Sequence, residues 1–225
     1  MINEYKIEPI SRHIGATITG VDLQNLTPAA TDFINQSIAK HLVVFFRDQK
    51  LDPDALHKLA KHFGKPVPYP FVNGLPGFPE IVEVKKLPHE TANFGGVWHS
   101  DTAYLEEPTM GAMLYAVQVP EQGGDTLFAN MYLVFEQLSI GMRKLLSGLV
   151  GVNDADKPEI VATRVDRQSQ LKKGLKAEHP VIRTHPVTGR QLVYVNRAHT
   201  THFVGMTELE SSPILAHLFE LTIRP

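Results

Sequence analysis

The chain has 225 residues, with 22 Lys and Arg against 24 Asp and Glu, 11 His and no Cys. That length suits one sizeable domain with its own core, and balanced charge without a run of one sign excludes the basic footprint of a nucleic-acid or membrane-surface protein. Without cysteine there is neither a disulfide framework nor a thiolate metal site, so a transition metal must be held by His and carboxylate. The N-terminal MINEYKIEPI lacks a charged region followed by an apolar core, and no apolar run approaches the roughly 18 residues of a bilayer span. The expectation is a single cytoplasmic domain, residues 1–225, whose partner is a small molecule rather than nucleic acid or a membrane.

Along the chain, GATITGV (15–21) alternates small and β-branched residues and reads as a strand running into a turn at Asp22. Thr27 caps a helix with Pro28 at its first position, and Phe33, Ile34, Ser37, Ile38 and Leu42 mark its packed face. HLVVFFR (41–47) is a continuous apolar run, the pattern of a central strand buried on both faces. Asp52 and Pro53 repeat the cap-and-proline start, and Leu56, Leu59, Ala60 and Phe63 form a stripe stopped by Gly64. Residues 65–79 carry five prolines and two glycines, which predicts a long loop with its own conformation, of the kind used for binding or as a lid.

Strands are expected at Ile81–Lys85, through His99, and at GAMLYAVQV (111–119). EQGGDT then makes a tight turn before Leu127 and Phe128 resume extended structure. Ser139 caps a short helix reaching Leu146, and 164–178 is a polar, basic surface excursion. Val181–Arg183 and Gln191–Val195, joined by HPVTG with Gly189 at the tight position, form a hairpin. TELE is a capping box at Thr207 and Glu210 for a final helix with Leu215, Leu218 and Phe219 on its apolar face. Pro213 sits awkwardly inside it, so the regular part is expected from Ser212. Strands with few connecting helices imply a mainly β fold with flanking helices, a sandwich or jelly roll enclosing a cavity between its sheets.

The chemistry concentrates in WHSDTAY. On an alternating strand His99 and Asp101 point to one face. Two His and one carboxylate on one face, with the remaining positions open, is the metal set of non-haem Fe(II) oxygenases, and His99 and Asp101 supply two of those three legs. Trp98, the only tryptophan, packs behind such a site or in plain core.

The order of WHSDTAY, PEQGGDT and VIRTHPVTGRQLVYVN, preceded by GATITGVDL and HLVVFFRDQ, resembles the taurine/2-oxoglutarate dioxygenase family of Fe(II)- and 2-oxoglutarate-dependent oxygenases, over about residues 7–225. The resemblance implies a double-stranded β-helix (jelly roll), with Fe(II), 2-oxoglutarate as cosubstrate and O2. It implies His99 and Asp101 as the first two iron ligands and Thr126 of GGDT as the hydroxyl contacting the 2-oxoglutarate carboxylate, with Gly123 and Gly124 letting the backbone turn beneath it. The reaction implied is hydroxylation of a small organic anion (a sulfonate, sulfate ester or aryloxy acid) coupled to decarboxylation of 2-oxoglutarate to succinate. A carboxylate at Asp101 favours hydroxylation over halogenation, because halogenating relatives leave that coordination position open for chloride.

Tyr69, Asn73 and His199 are the residues expected near substrate, and Tyr69 stands about where taurine-type enzymes use a histidine, which argues against taurine itself. Relatives continue beyond the segment matching 207–221 with a second iron-binding His and an Arg that pairs with 2-oxoglutarate. His179, His185, His199, His202 and His217 lie upstream of that region, and Arg183, Arg190 and Arg197 lie in the hairpin region. The expectation is therefore a jelly roll incomplete at its C-terminus, inactive or poorly active as it stands, with exposed sheet edges and a tendency to aggregate or form homo-oligomers. The competing reading is a non-catalytic jelly-roll interaction module that retains a partial metal site.

Overall fold

The computed structural model describes residues 5–91, 93–157 and 174–224. Contacts divide the chain into two units, Met1–Tyr69 with Asn73–Val82 and Met113–Asn130, and Pro70–Val72 with Glu83–Ala112 and Met131–Pro225. Eight short strands and five helices are formed among the described residues.

In the first unit, β1 (Lys6–Pro9), β2 (Ala16–Thr19) and β3 (Val44–Phe46) make a sheet in that order, antiparallel between β1 and β2 and parallel between β2 and β3. The parallel pair needs a crossover, which α1 (Pro28–His41) provides. Thr27 caps α1 by accepting the Ala30 N–H at 3.2 Å. Asp52 caps α2 (Pro53–Lys61) by accepting the Ala55 N–H at 2.8 Å. Ile18, Val21, Leu23, Ala30, Ile34 and Leu59 form the core. Ile34 is 1% exposed, and its burial contributes about 1.5–3 kcal/mol.

The expected central strand at 41–47 is corrected by the structure. His41 ends α1, and only Val44–Phe46 is extended, as a half-buried edge strand. An apolar run alone does not distinguish an edge from a centre, because that depends on whether a second neighbour exists.

Residues 65–79 do adopt their own conformation. Leu75 and Phe78 form an isolated bridge, and Gly74 lies so close to the backbone of Pro79 that an added Cβ would stand 2.3 Å from its carbonyl oxygen. Only glycine permits that approach.

Residues 79–130 form no strand among the described residues, which corrects the strands expected at Ile81–Lys85, through His99, at 111–119 and at Leu127–Phe128. A strand requires a neighbour to take its N–H and C=O groups, and no described segment pairs with these. Residues 113–128 instead run along the first unit with much apolar surface exposed, anchored at Tyr115, whose hydroxyl donates to the Gln49 carbonyl at 3.2 Å and accepts the Leu51 N–H at 3.3 Å. Gly123 and Gly124 take left-handed φ of 77° and 74°, and the chain bends at Glu121 and Gln122, without a hydrogen-bonded turn among the described residues.

The second unit holds α3 (Met131–Gln137), α4 (Ile140–Leu146) and an antiparallel sheet of β4 (Val150–Asp154), β5 (Lys176–Pro180) and β8 (Thr200–Phe203), in the order β5-β4-β8. Beside these stand the hairpin of β6 (Ile182–Thr184) and β7 (Gln191–Val193), and α5 (Glu208–Thr222). Ser139 caps α4, and Gly189 closes the hairpin turn with φ 69°, both as expected. Most of the polar excursion lies outside the described residues, but its end is structured: β5 buries Ala177 and His179 against β4.

The last helix begins at Glu208, not Ser212. The capping box forms in full, and Pro213 is accommodated within the helix. The carbonyl that Pro213 cannot pair belongs to Leu209, an exposed residue, so the lost hydrogen bond falls on the solvent side. Val134, Leu138, Leu146, Val181, Val193, Val195, Phe203, Leu215, Leu218 and Leu221 form this unit's core.

Candidate metal centre

The sequence pair His99 and Asp101 is brought together in the second unit, although by a turn and not by a strand. Leu105 N–H donates to the Thr102 carbonyl at 2.9 Å, and Thr102 takes a left-handed φ of 52°. That conformation is costly for a β-branched residue and persists only where the surroundings fix it. Here they do. Thr102 is buried, and its hydroxyl accepts the Thr109 N–H at 2.9 Å. The turn swings Asp101 back so that its Oδ1 lies 3.3 Å from His99 Nε2.

His99 Nδ1 donates to the Val97 carbonyl at 2.7 Å. In the neutral ring this leaves a lone pair on Nε2, facing a carboxylate oxygen that also carries lone pairs. Two such groups at this distance need a cation between them, either a proton or a metal. Metal bonds of about 2.1 Å meeting at a right angle span about 3 Å, so the pair fits adjacent legs of one divalent ion. Both side chains keep solvent access, with 35% of His99 and 51% of Asp101 exposed. The hydrogen bond with His99, and the charges of His99 and His199 acting against burial, hold the Asp101 carboxyl below the usual carboxylate range. Among the described residues no group of three or more His, Asp and Glu side chains is arranged to hold a metal ion.

The surroundings are built from distant parts of the second unit. The Trp98 carbonyl accepts the Ala198 N–H at 3.2 Å, which ties the His99 segment to the turn at 196–200. There His199 is buried, with its N–H on Asn196 Oδ1 at 2.8 Å and its Nδ1 3.3 Å from the Asp154 carbonyl. Its ring meets Tyr104 edge-on at 4.9 Å, and Tyr104 meets Phe71 at 5.2 Å. His199 is thus a packed, hydrogen-bonded residue. Tyr69, half-buried, and Asn73 and Thr126, both exposed, belong to the first unit.

Sequence reasoning missed Gly95 and Tyr104. The glycine pair in FGGVWH was a legible signal, since a Cβ at Gly95 would lie 3.2 Å from His99 Cε1. Tyr104 carries no local signal, because its partners are some 33 and 95 residues away in sequence.

Residues 6–225 match the family model of the taurine catabolism dioxygenase TauD, TfdA family. The alpha-ketoglutarate-dependent sulfonate dioxygenase of Saccharomyces cerevisiae is 30% identical over 98% of this chain and 56% of its own length. The alpha-ketoglutarate-dependent sulfate ester dioxygenase of Pseudomonas putida is 30% identical over 96% of this chain and 72% of its own. A solved taurine dioxygenase from Burkholderia xenovorans superposes with a TM-score of 0.81 at 31% identity, covering 98% of this chain and 73% of that one. The chain therefore spans little more than half the length of the yeast relative. With the family model matching almost every residue, this chain belongs to the taurine catabolism dioxygenase TauD, TfdA family.

Proposed function

We propose that the protein carrying this chain is an Fe(II)- and 2-oxoglutarate-dependent dioxygenase that hydroxylates a small organic anion. The observation that carries the reading is the 3.3 Å approach of His99 Nε2 to Asp101 Oδ1 in a member of this family. The names of its relatives, covering sulfonates, sulfate esters and 2,4-dichlorophenoxyacetate, support the substrate class.

In this reading His99 and Asp101 are two of the iron ligands, and the Val97 carbonyl keeps the His99 lone pair on the metal-facing nitrogen. Ferrous ion with 2-oxoglutarate, when bound, supplies the oxidising chemistry: one O2 converts 2-oxoglutarate to succinate and CO2 and a substrate C–H to C–OH. Thr126 donates its hydroxyl to the cosubstrate carboxylate. Tyr69, Asn73 and His199 border the substrate, and the buried His199 and Tyr104 exclude water from the protein side of Asp101. Where the hydroxylated carbon bears sulfur or oxygen, the product collapses and the heteroatom group leaves. The fold we assign is the jelly roll, residues 1–225 a single domain, and the setting cytoplasmic. No helix among the described residues is long and apolar enough to cross a membrane.

The test uses the protein that carries this chain. Anaerobic Fe(II) with 2-oxoglutarate should give a weak visible charge-transfer band. A panel of alkylsulfonates, alkyl sulfates and aryloxyacetates should then reveal succinate release above the uncoupled background. Absence of both the band and succinate would overturn the reading.

A further inference from the structure

His179 is a buried imidazole with no part in holding metal, cosubstrate or substrate in the function proposed above. Its seat is firmly built. The backbone lies on β5 opposite Gly151 of β4, and the ring meets Tyr194 edge-on at 5.4 Å. Tyr194 is held in turn, its N–H donating to the Val181 carbonyl at 2.7 Å and its ring centroid 4.5 Å from the Arg183 guanidinium carbon. From this seat His179 Nε2 reaches the Leu105 carbonyl at 3.0 Å, across 74 residues of sequence. A carbonyl only accepts, so Nε2 carries the proton and donates.

Leu105 closes the turn that begins at Thr102, its N–H returning to the Thr102 carbonyl at 2.9 Å. The N–H of Leu105 thus shapes the turn while its C=O ties the turn to the sheet. The turn needs such a tie. Thr102 keeps a left-handed φ of 52°, which a β-branched residue retains only where its neighbours impose it. Thr102, Ala103 and Tyr104 are all buried, so the turn has no solvent side into which to relax. Asp101 immediately precedes Thr102, and the backbone setting of the turn directs its carboxylate to within 3.3 Å of His99 Nε2. The approach to the pair has its own tie, Ala198 N–H to the Trp98 carbonyl at 3.2 Å. The His99–Asp101 pair is therefore slung between two long-range hydrogen bonds, one just before it and one just after.

We propose that His179 is a positioning residue of the metal centre: by donating Nε2–H to the Leu105 carbonyl, it locks the turn at Thr102 onto the sheet and keeps Asp101 at coordinating distance from His99. This role rests on the functional reading above and is exerted through Asp101, without a bond from His179 to the metal. Side chains that hold metal ligands in place are themselves fixed by packing and hydrogen bonds of this kind.

Three substitutions separate the donor from the bulk of the ring. Gln carries an amide N–H near the Nε2 position, Asn carries one a methylene short of it, and Leu has none. The test uses the protein that carries this chain, titrated calorimetrically with Mn(II) alone. His179→Leu and His179→Asn should bind Mn(II) about tenfold more weakly and His179→Gln within about threefold of the parent, since loss of outer partners weakens metal affinity about 10–100-fold. The electron paramagnetic resonance spectrum of bound Mn(II) should change in the two weakened variants and return toward the parent form in His179→Gln. Amide exchange reads the turn without any metal: Leu105 N–H should exchange about tenfold faster in His179→Leu and His179→Asn, while Leu215 and Leu218 in α5 keep their rates.

Parental Mn(II) affinity in folded His179→Leu overturns the proposal, because Asp101 is then held without this bond. Equal losses in His179→Leu and His179→Gln also overturn it, because only the volume of the ring then matters. Should His179→Leu fail to fold, equal affinities in His179→Gln and His179→Asn are decisive against it. Asp101→Ala checks the metal pair itself. If the parent protein binds no Mn(II), or Asp101→Ala binds it equally well, the functional reading fails and the role of His179 with it. Weakened binding in Asp101→Ala beside parental binding in His179→Leu removes the role of His179 alone.

Discussion

Gly95 leaves room for His99: with φ of 69°, its Cα faces the imidazole so closely that any Cβ would lie 3.2 Å from Cε1. Gly95→Ala therefore acts twice. The left-handed backbone becomes unfavourable by about 1–2 kcal/mol, and the added methyl pushes the ring away from Asp101 Oδ1. The variant should bind Mn(II) at least tenfold more weakly while keeping its far-ultraviolet circular dichroism. An unchanged affinity in a folded variant would show that the ring does not need this space.

What the sequence made legible follows from how far each signal reaches. Thr27, Asp52, Ser139 and Thr207 all cap the helices expected of them, because a cap bonds an N–H only two or three residues ahead. The hairpin at 182–193 was legible for the same reason, its turn being held by His185 and Gly189. Strands at 111–119 and through His99 were not, since an alternating or apolar pattern names a face but not the neighbour that completes the ladder. β4 escaped notice because its GVND carries Gly, Asn and Asp, which are poor strand formers. Tertiary bonds override that preference: Asn153 is fully buried and accepts from Thr200 Oγ1 at 2.8 Å. The His99–Asp101 proximity was anticipated on the wrong backbone, a strand in place of a turn locked by Thr102.

Asp154 gives the stability a pH dependence. Its carboxylate lies 2.9 Å from Lys176 Nζ across the β4–β5 pair and accepts the Asp156 N–H at 2.8 Å. Burial alone would raise its pKa, but these partners outweigh burial and hold it below the ordinary value. A carboxyl depressed on folding stabilises the native state above its unfolded pKa, and the contribution disappears as pH falls through the folded one. Asp154→Asn should therefore cost about 0.5–1 kcal/mol at pH 7, the partly exposed lysine limiting the value. The gap between variant and parent should close below about pH 4. Urea melts across that range check it, and a gap that widens on acidification would be the wrong sign.

The stretch 113–128 leaves much of its apolar surface exposed. Leu114 is 72% exposed and Val117 88%, with Val119, Leu127 and Phe128 also in solvent. No backbone ladder satisfies this segment among the described residues. Exposed apolar, unpaired backbone promotes association. The double substitution Leu114→Glu with Val117→Glu should lower binding of an apolar dye and shift light scattering toward a smaller species, with little change in thermal midpoint. A destabilisation of several kcal/mol would mean that these side chains are buried in solution.

Ser211 joins the start of α5 to the end of β8. Its hydroxyl donates to the Thr207 carbonyl at 2.9 Å and accepts the Phe203 N–H at 3.0 Å, and the residue is fully buried. Two residues thus share one corner, Thr207 capping the helix through Glu210 and Ser211 fastening that cap to the sheet. Ser211→Ala leaves the Phe203 N–H buried without its acceptor, which costs about 1–3 kcal/mol, whereas Thr207→Ala loses a cap worth about 1 kcal/mol. Because Ser211 bonds the carbonyl of Thr207 itself, fraying of the cap should loosen the second contact. The double variant should therefore lose less stability than the two single losses added, with a coupling of at least about 0.5 kcal/mol in a double-mutant cycle of urea midpoints. Simple additivity would mean that cap and fastening act independently, and that the helix holds its place on the sheet through Leu215 and Leu218 alone.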